Sequence, residues 1–138
     1  MPGTTEVADD VKALSMQYIE AVGSGRLDRV ANLLHPDVAF VGPTKPLHGA
    51  RAYLDALRRL GPILLRNDVK KVVAEGNHVA VFYDFITDTE VGPVPSAEWL
   101  SFEDGSIREV HLVFHTQPWP KVIDELGKRS VQSHQGRP

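Results

Sequence analysis

The sequence predicts an α+β domain in which helices cover one face of a curved antiparallel sheet. Three observations carry that expectation. Apolar residues recur at helical spacing as far as Leu60. From Ile63 onward the apolar period shortens from 3.6 to two, the change that separates helix from strand. Asp104-Gly105, set between two alternating segments, is a strong hairpin signal. Helices first and strands afterwards describe helices packed on a meander. With 138 residues, the chain has room for one domain, roughly 100–200 residues being usual. That length buries a core without disulfides or structural metal.

The first helix runs through Val7, Val11, Leu14, Tyr18 and Val22, one apolar stripe. Thr4 or Thr5 can cap it, and Glu6, Asp9 and Asp10 suit the positive end of its dipole. Gly23 and Gly25 end it. The second helix carries Leu27, Val30, Ala31 and Leu34 on one face, and Pro36 stops it. Val38–Val41 reads as a short strand closed by Gly42-Pro43. A third helix puts Tyr53, Ala56, Leu57 and Leu60 on one face, and Gly61-Pro62 ends it. Four strands follow: 63–74, 78–87, 96–102 and 107–115. Residues 1–120 form the expected single domain. The tail, 121–138, is expected to hold a short helix at 121–126 and then disorder, because it is polar and rich in breakers.

Composition excludes several classes of function. There is no cysteine, so disulfides, thiolate metal sites and cysteine nucleophiles are all absent. The net charge is −3 and the basic residues are scattered, which argues against nucleic acid as a partner. MPGTTEVADD is polar and acidic, unlike a signal peptide. No stretch approaches the roughly 20 apolar residues that span a bilayer. A cytoplasmic protein is the resulting expectation. His111 and His115 invite a metal reading, but on one strand they stand roughly 13 Å apart. Glu109 with His111 lacks an evident third ligand. No metal and no cofactor are expected.

Within strand 78–87 one face carries Ala80, Phe82, Asp84 and Ile86, and the other Val79, Val81, Tyr83 and Phe85. Both are apolar, so both are expected to be covered. Asp84 and Glu98 are acids in otherwise apolar strands, where an unpaired carboxylate is costly.

Four segments carry a family resemblance: Tyr18 to Asp28, His35 to Pro43, Leu47 to Ala50, and Phe102 to Ile107 running into the last strand. On these the chain resembles the nuclear-transport-factor-two-like superfamily. That group includes SnoaL-like polyketide cyclases, ketosteroid isomerases, limonene epoxide hydrolases and scytalone dehydratases. The resemblance implies a cone-shaped pocket between the sheet and the three N-terminal helices, and a homodimer. Aligning the Asp104-Gly105 hairpin with the family pattern puts Glu98, Leu112 and Phe114 inside, and extending that register puts Asp84 inside as well.

Tyr18, Asp84 and Glu98 are therefore the candidate catalytic residues. Two carboxyls close together in low dielectric cannot both ionise easily, so one holds a proton and the pair can act as acid and base. The Tyr18 hydroxyl could bind a substrate oxygen. The competing reading puts Asp84 outside, paired with Lys70 or Lys71. Phe40, Tyr53, Leu57, Phe82 and Ile86 are the expected apolar lining, with Leu100, Val110, Leu112 and Phe114. Val79, Val81, Tyr83 and Trp99 then form the expected dimer face.

By the resemblance, Tyr18 matches the tyrosine of the ketosteroid-isomerase oxyanion hole. Glu98 falls where those enzymes have Asp, and their base aligns with Gly42. Asp84 matches one Asp of limonene epoxide hydrolases, but Phe82 and Leu112 replace the partnering Arg and Asp. A third arrangement is implied. It would be a cofactor-independent acid–base enzyme (isomerase, cyclase, dehydratase or epoxide hydrolase) acting on a hydrophobic, oxygen-bearing metabolite. The alternative is a non-catalytic ligand-binding or association domain.

Overall fold

The computed structural model describes residues 2–43 and 45–135; of residues 2–8 and 130–135 it describes the backbone alone. Three helices and two short strands come first: α1 (Pro2–Gly23), α2 (Leu27–Leu33), β1 (Leu34–Val41), β2 (Leu47–His48) and α3 (Ala50–Leu60). The long strands follow as β3 (Leu64–Glu75), β4 (His78–Thr87), β5 (Val94–Glu103) and β6 (Ser106–Phe114), and α4 (Trp119–Gln135) closes the chain. The six strands form one sheet in the order β2-β1-β6-β5-β4-β3. The α+β class stands. The sheet is mixed rather than wholly antiparallel, because β1 runs parallel to β6.

Turn chemistry sets the antiparallel part. Asp104 and Gly105 both have positive φ (51° and 80°), the conformation of a two-residue hairpin whose twist matches the strands. Gly76, with φ 58°, opens the turn between β3 and β4. Register shifts interrupt β3–β4, β5–β6 and β1–β6. Each bulge bends its strand. Pro36, expected only to stop α2, lies in the irregular stretch of β1 between Leu34 and Ala39, where a missing N–H is tolerated.

Helices α1 and α3 pack on the sheet's concave face. Val11, Ser15, Tyr18, Ile19 and Ala21 of α1 are buried, with Leu14 and Val22 packed beside them. The opposing sheet residues are Val79, Val81, Tyr83, Leu100, Phe102 and Val110, all buried in the same core. The end of α1 is a Schellman motif: Arg26 N–H donates to Ala21 O (2.9 Å) and Gly25 N–H to Val22 O (3.2 Å), with Gly25 at φ 73°. Gly23 has a different task. A Cβ there would lie 2.5 Å from the backbone nitrogen of Asn67, so glycine lets α1 touch β3. The helix begins at Pro2, and the expected caps Thr4 and Thr5 have side chains outside the described residues.

The tail differs from expectation. Instead of a short helix followed by disorder, α4 continues to Gln135; residues 136–138 lie outside the described residues. Pro120 occupies its first turn, where proline is tolerated. Val122 is fully buried. Trp119 packs against Phe114 (ring centroids 4.9 Å) and Phe85 (6.2 Å). Among the described residues no helix is long and apolar enough to cross a membrane.

Replacing Gly23 by alanine should destabilise the fold by about 1–3 kcal/mol, because backbone rather than a flexible side chain blocks the new methyl. Urea unfolding of G23A checks this, against helix propensity, which alone favours alanine by about 1 kcal/mol.

Candidate active site

Between the concave sheet face, α3 and α4 lies a cavity of about 930 Å³, near the upper end of the range that suits a drug-sized molecule. Its walls are mainly apolar. Phe40, Leu57, Phe85, Leu112, Phe114 and Trp119 are among the lining side chains. Phe40 stacks on Tyr53 with ring centroids 4.8 Å apart. Tyr53, Tyr83, Ser96, Asn67 and Glu98 are polar residues of the wall, and Arg59 and Arg129 line it as well.

Glu98 is the ionisable group with the most consequential surroundings. It is 5% exposed. Its cross-strand partners are Val81 and Leu112, so the strand around it is greasy. Tyr83 lies opposite Ser96, one diagonal step away on the same face. From there its hydroxyl donates to Glu98 Oε1 at 3.0 Å. Glu98 Oε2 is buried without a protein partner. Burial pushes the carboxyl up to about 7, against the lowering effect of the Tyr83 hydrogen bond. Near neutral pH both forms are populated, the condition a proton-transfer group needs.

Above Glu98, the hydroxyls of Tyr18 and Tyr53 share a hydrogen bond, which ties α1 to α3. Burial, reinforced by the Glu98 charge, raises Tyr18, Tyr53 and Tyr83 well above the usual phenol value. All three stay neutral and remain donors. Tyr53 lines the cavity, whereas Tyr18 is fully buried behind it.

Several expected positions are corrected. Strand β4 has the opposite phase: Val79, Val81 and Tyr83 are buried on the inner face, so Asp84 projects from the convex face. There Lys70 Nζ stands 3.5 Å from its Oδ2, and cation and solvent stabilise the charge that an apolar hollow would penalise. Asp84 and Glu98 therefore do not share a cavity. Phe82 and Ile86 follow Asp84 outward and do not line it. Leu100 and Val110 do face inward, yet both are fully buried in the core beneath the helices rather than on the cavity wall. Phe40, Tyr53, Leu57, Leu112 and Phe114 line the cavity. Val79, Val81 and Tyr83 cannot form a dimer face, since they lie inside; Trp99, 49% exposed, is outside. Gly42 offers no side chain, and a Cβ there would press on the Phe40 ring at 3.1 Å.

Tyr83, expected on the dimer face, is not expected on the cavity wall, and neither are Asn67, Ser96 and the α4 residues. The reversed phase of β4 hid Tyr83. A short helix is expected at 121–126, and the spacing of Trp119, Val122, Ile123 and Leu126 is the helical signal that could have marked its apolar face.

The profile of the SnoaL-like domain matches residues 16–110, and the chain belongs to that family. No curated protein sequence matches it. Among solved structures it resembles an NTF2-like protein of unknown function from Cytophaga hutchinsonii, with TM-score 0.70 and 21% identity over 79% of this chain and 93% of the other. It also resembles a protein from Kribbella flavida provisionally named a ketosteroid isomerase, with TM-score 0.72 and 21% identity over 78% and 79%. A third is a protein from Jannaschia provisionally named a SnoaL-like polyketide cyclase, with TM-score 0.74 and 15% identity over 85% and 93%. At such identities these likenesses establish the shared fold, and a fold of this kind carries many chemistries.

Because Glu98 binds its proton more tightly in the fold than in the unfolded chain, its contribution falls as pH rises. The decline should begin near the unfolded value, roughly 4.5, and finish near 7, amounting to about 3 kcal/mol. Urea unfolding of wild type and Glu98→Gln across pH 4.5–8 checks this. The variant should lose that slope and gain on wild type toward high pH.

Proposed function

We propose that the chain is a cofactor-independent acid–base enzyme of the SnoaL-like type acting on a hydrophobic, oxygen-bearing small molecule, with Glu98 as the proton carrier. The observation that supports this most is a buried carboxyl with an unpartnered oxygen in the wall of a greasy cavity. Ionised Glu98 would take a proton from carbon beside a carbonyl, and the electron pair would move onto the carbonyl oxygen. Tyr53 is the cavity-lining hydroxyl suited to donate to that oxygen, with Tyr18 donating to Tyr53 from behind. Glu98 would then return the proton elsewhere on the substrate. One carboxyl acting twice suits isomerisation or dehydration better than epoxide hydrolysis, which needs a base and an acid at the same moment.

A second reading, a binding protein without chemistry, is favoured by one observation. Gly42 stands where the resembled isomerases carry their base, and Asp84 faces away. Turnover separates the two. Under the catalytic reading Glu98→Gln should lower kcat by about 10²–10⁴-fold, while Asp84→Asn should stay within about twofold, as expected of surface changes. Tyr83→Phe should move the ascending limb of the kcat–pH profile to higher pH, because it removes the hydrogen bond that favours the charged carboxylate. Undiminished turnover in Glu98→Gln would exclude Glu98 as proton carrier.

The expected homodimer is proposed through the convex sheet face, with Phe82 (44% exposed), Trp99 and Val113 (68%) in place of the inward valines. Sedimentation of Trp99→Lys beside wild type tests it; identical sedimentation as a monomer for both would dismiss the interface.

A further inference from the structure

Among the described residues, two buried side-chain polar atoms have no hydrogen-bond partner: Glu98 Oε2 and Asn67 Oδ1. Both residues line the same cavity. Folded proteins match nearly all such atoms, so two of them on residues of one cavity wall call for a cause. The Asn67 amide is oriented by the protein. Its Nδ2 donates to the backbone carbonyl of Ile19 at 3.1 Å, which leaves Oδ1 as an acceptor. Holding α1 against β3 does not by itself require an amide here, because the Gly23 contact already brings the backbones together.

Register fixes the separation of the two acceptors. Asn67 lies opposite Phe85, Phe85 opposite Val94, and Glu98 is further along β5. On a flat sheet the two Cα positions would be roughly 16 Å apart, and the concave curvature shortens the direct path. Phe85, Phe114 and Leu112 supply apolar wall to the same cavity.

We infer that Asn67 is a specificity-determining residue, accepting a hydrogen bond from a hydroxyl at the end of an elongated, otherwise apolar ligand remote from Glu98. This rests on the proposed reading that the cavity holds a hydrophobic, oxygen-bearing molecule. An anionic end group does not fit, since it would set acceptor against acceptor. A purely hydrocarbon end leaves Oδ1 unmatched.

The test uses 2-alkanones of eight to fourteen carbons, each as the parent ketone, the terminal alcohol and the terminal methyl ether, titrated calorimetrically into the full chain. At the best-fitting length the alcohol should bind wild type about tenfold more tightly than the parent ketone, one net hydrogen bond's worth. The methyl ether, which cannot donate, should show no such gain. In Asn67→Leu the ratio of alcohol to parent-ketone affinity should fall to about one. The inference is overturned if no length prefers the alcohol, if the ether equals the alcohol, if the preference survives Asn67→Leu, or if no alkanone binds. The wild-type comparison of alcohol with ether decides the matter even should the variant not fold. Glu98→Gln keeps the two readings apart: the alcohol preference should persist in it, so loss of the acid–base reading and loss of the Asn67 anchor give different results.

Discussion

A single hydrogen bond, from the Tyr83 hydroxyl to Glu98, sits where the competing demands of this molecule meet. The sheet must be apolar on its concave face to hold α1 and α3. A carboxyl on that face is a standing cost unless something meets its charge. Tyr83 meets part of it and leaves the rest, so the group is neither a settled carboxylate nor a settled acid. The architecture serves this compromise. Bulges curve the sheet, curvature makes a hollow, and the helices roof it without filling it.

The helices also act on the site's chemistry. Tyr18 and Tyr53 come from different helices and meet through their hydroxyls, so the placement of α1 bears on the geometry of α3. Gly23 lets α1 approach β3 backbone to backbone. Stability and site geometry thus depend on the same close contact. The Arg129 guanidinium plays a comparable part at the other wall, joining α4 to Asp88 (2.7 Å) and to the carbonyl of Pro62 (2.8 Å).

What could be read from the amino acids alone follows a physical rule. The two-residue turn at Asp104-Gly105 transmits strand phase without ambiguity, and Glu98, Leu112 and Phe114 were legible across it. Between β4 and β5 the chain wanders through Gly92 and Pro93, and phase is lost over such a length. Strand β4 offered no internal correction, because Phe82 and Ile86 look as suited to an interior as Val81 and Tyr83. Asp84 went astray for that reason alone. Its pairing with Lys70 satisfies the electrostatics that burial would have violated. The full extent of α4 was obscured by Pro118, Pro120 and Gly127, although proline is harmless in a first turn. Asn67 carried no signal, since an amide in a strand is unremarkable until its neighbours are known.

The two indole rings of this chain stand on opposite sides of the sheet. Trp119 borders the cavity between Phe85 and Phe114, and Trp99 lies on the convex surface between His78 and His111. Trp99 is the more exposed of the two, so a quencher acting from the outside affects its emission more than that of Trp119. The molecule carries its own pair of optical reporters, one for occupancy of the interior and one for events at the exterior, with no label to attach.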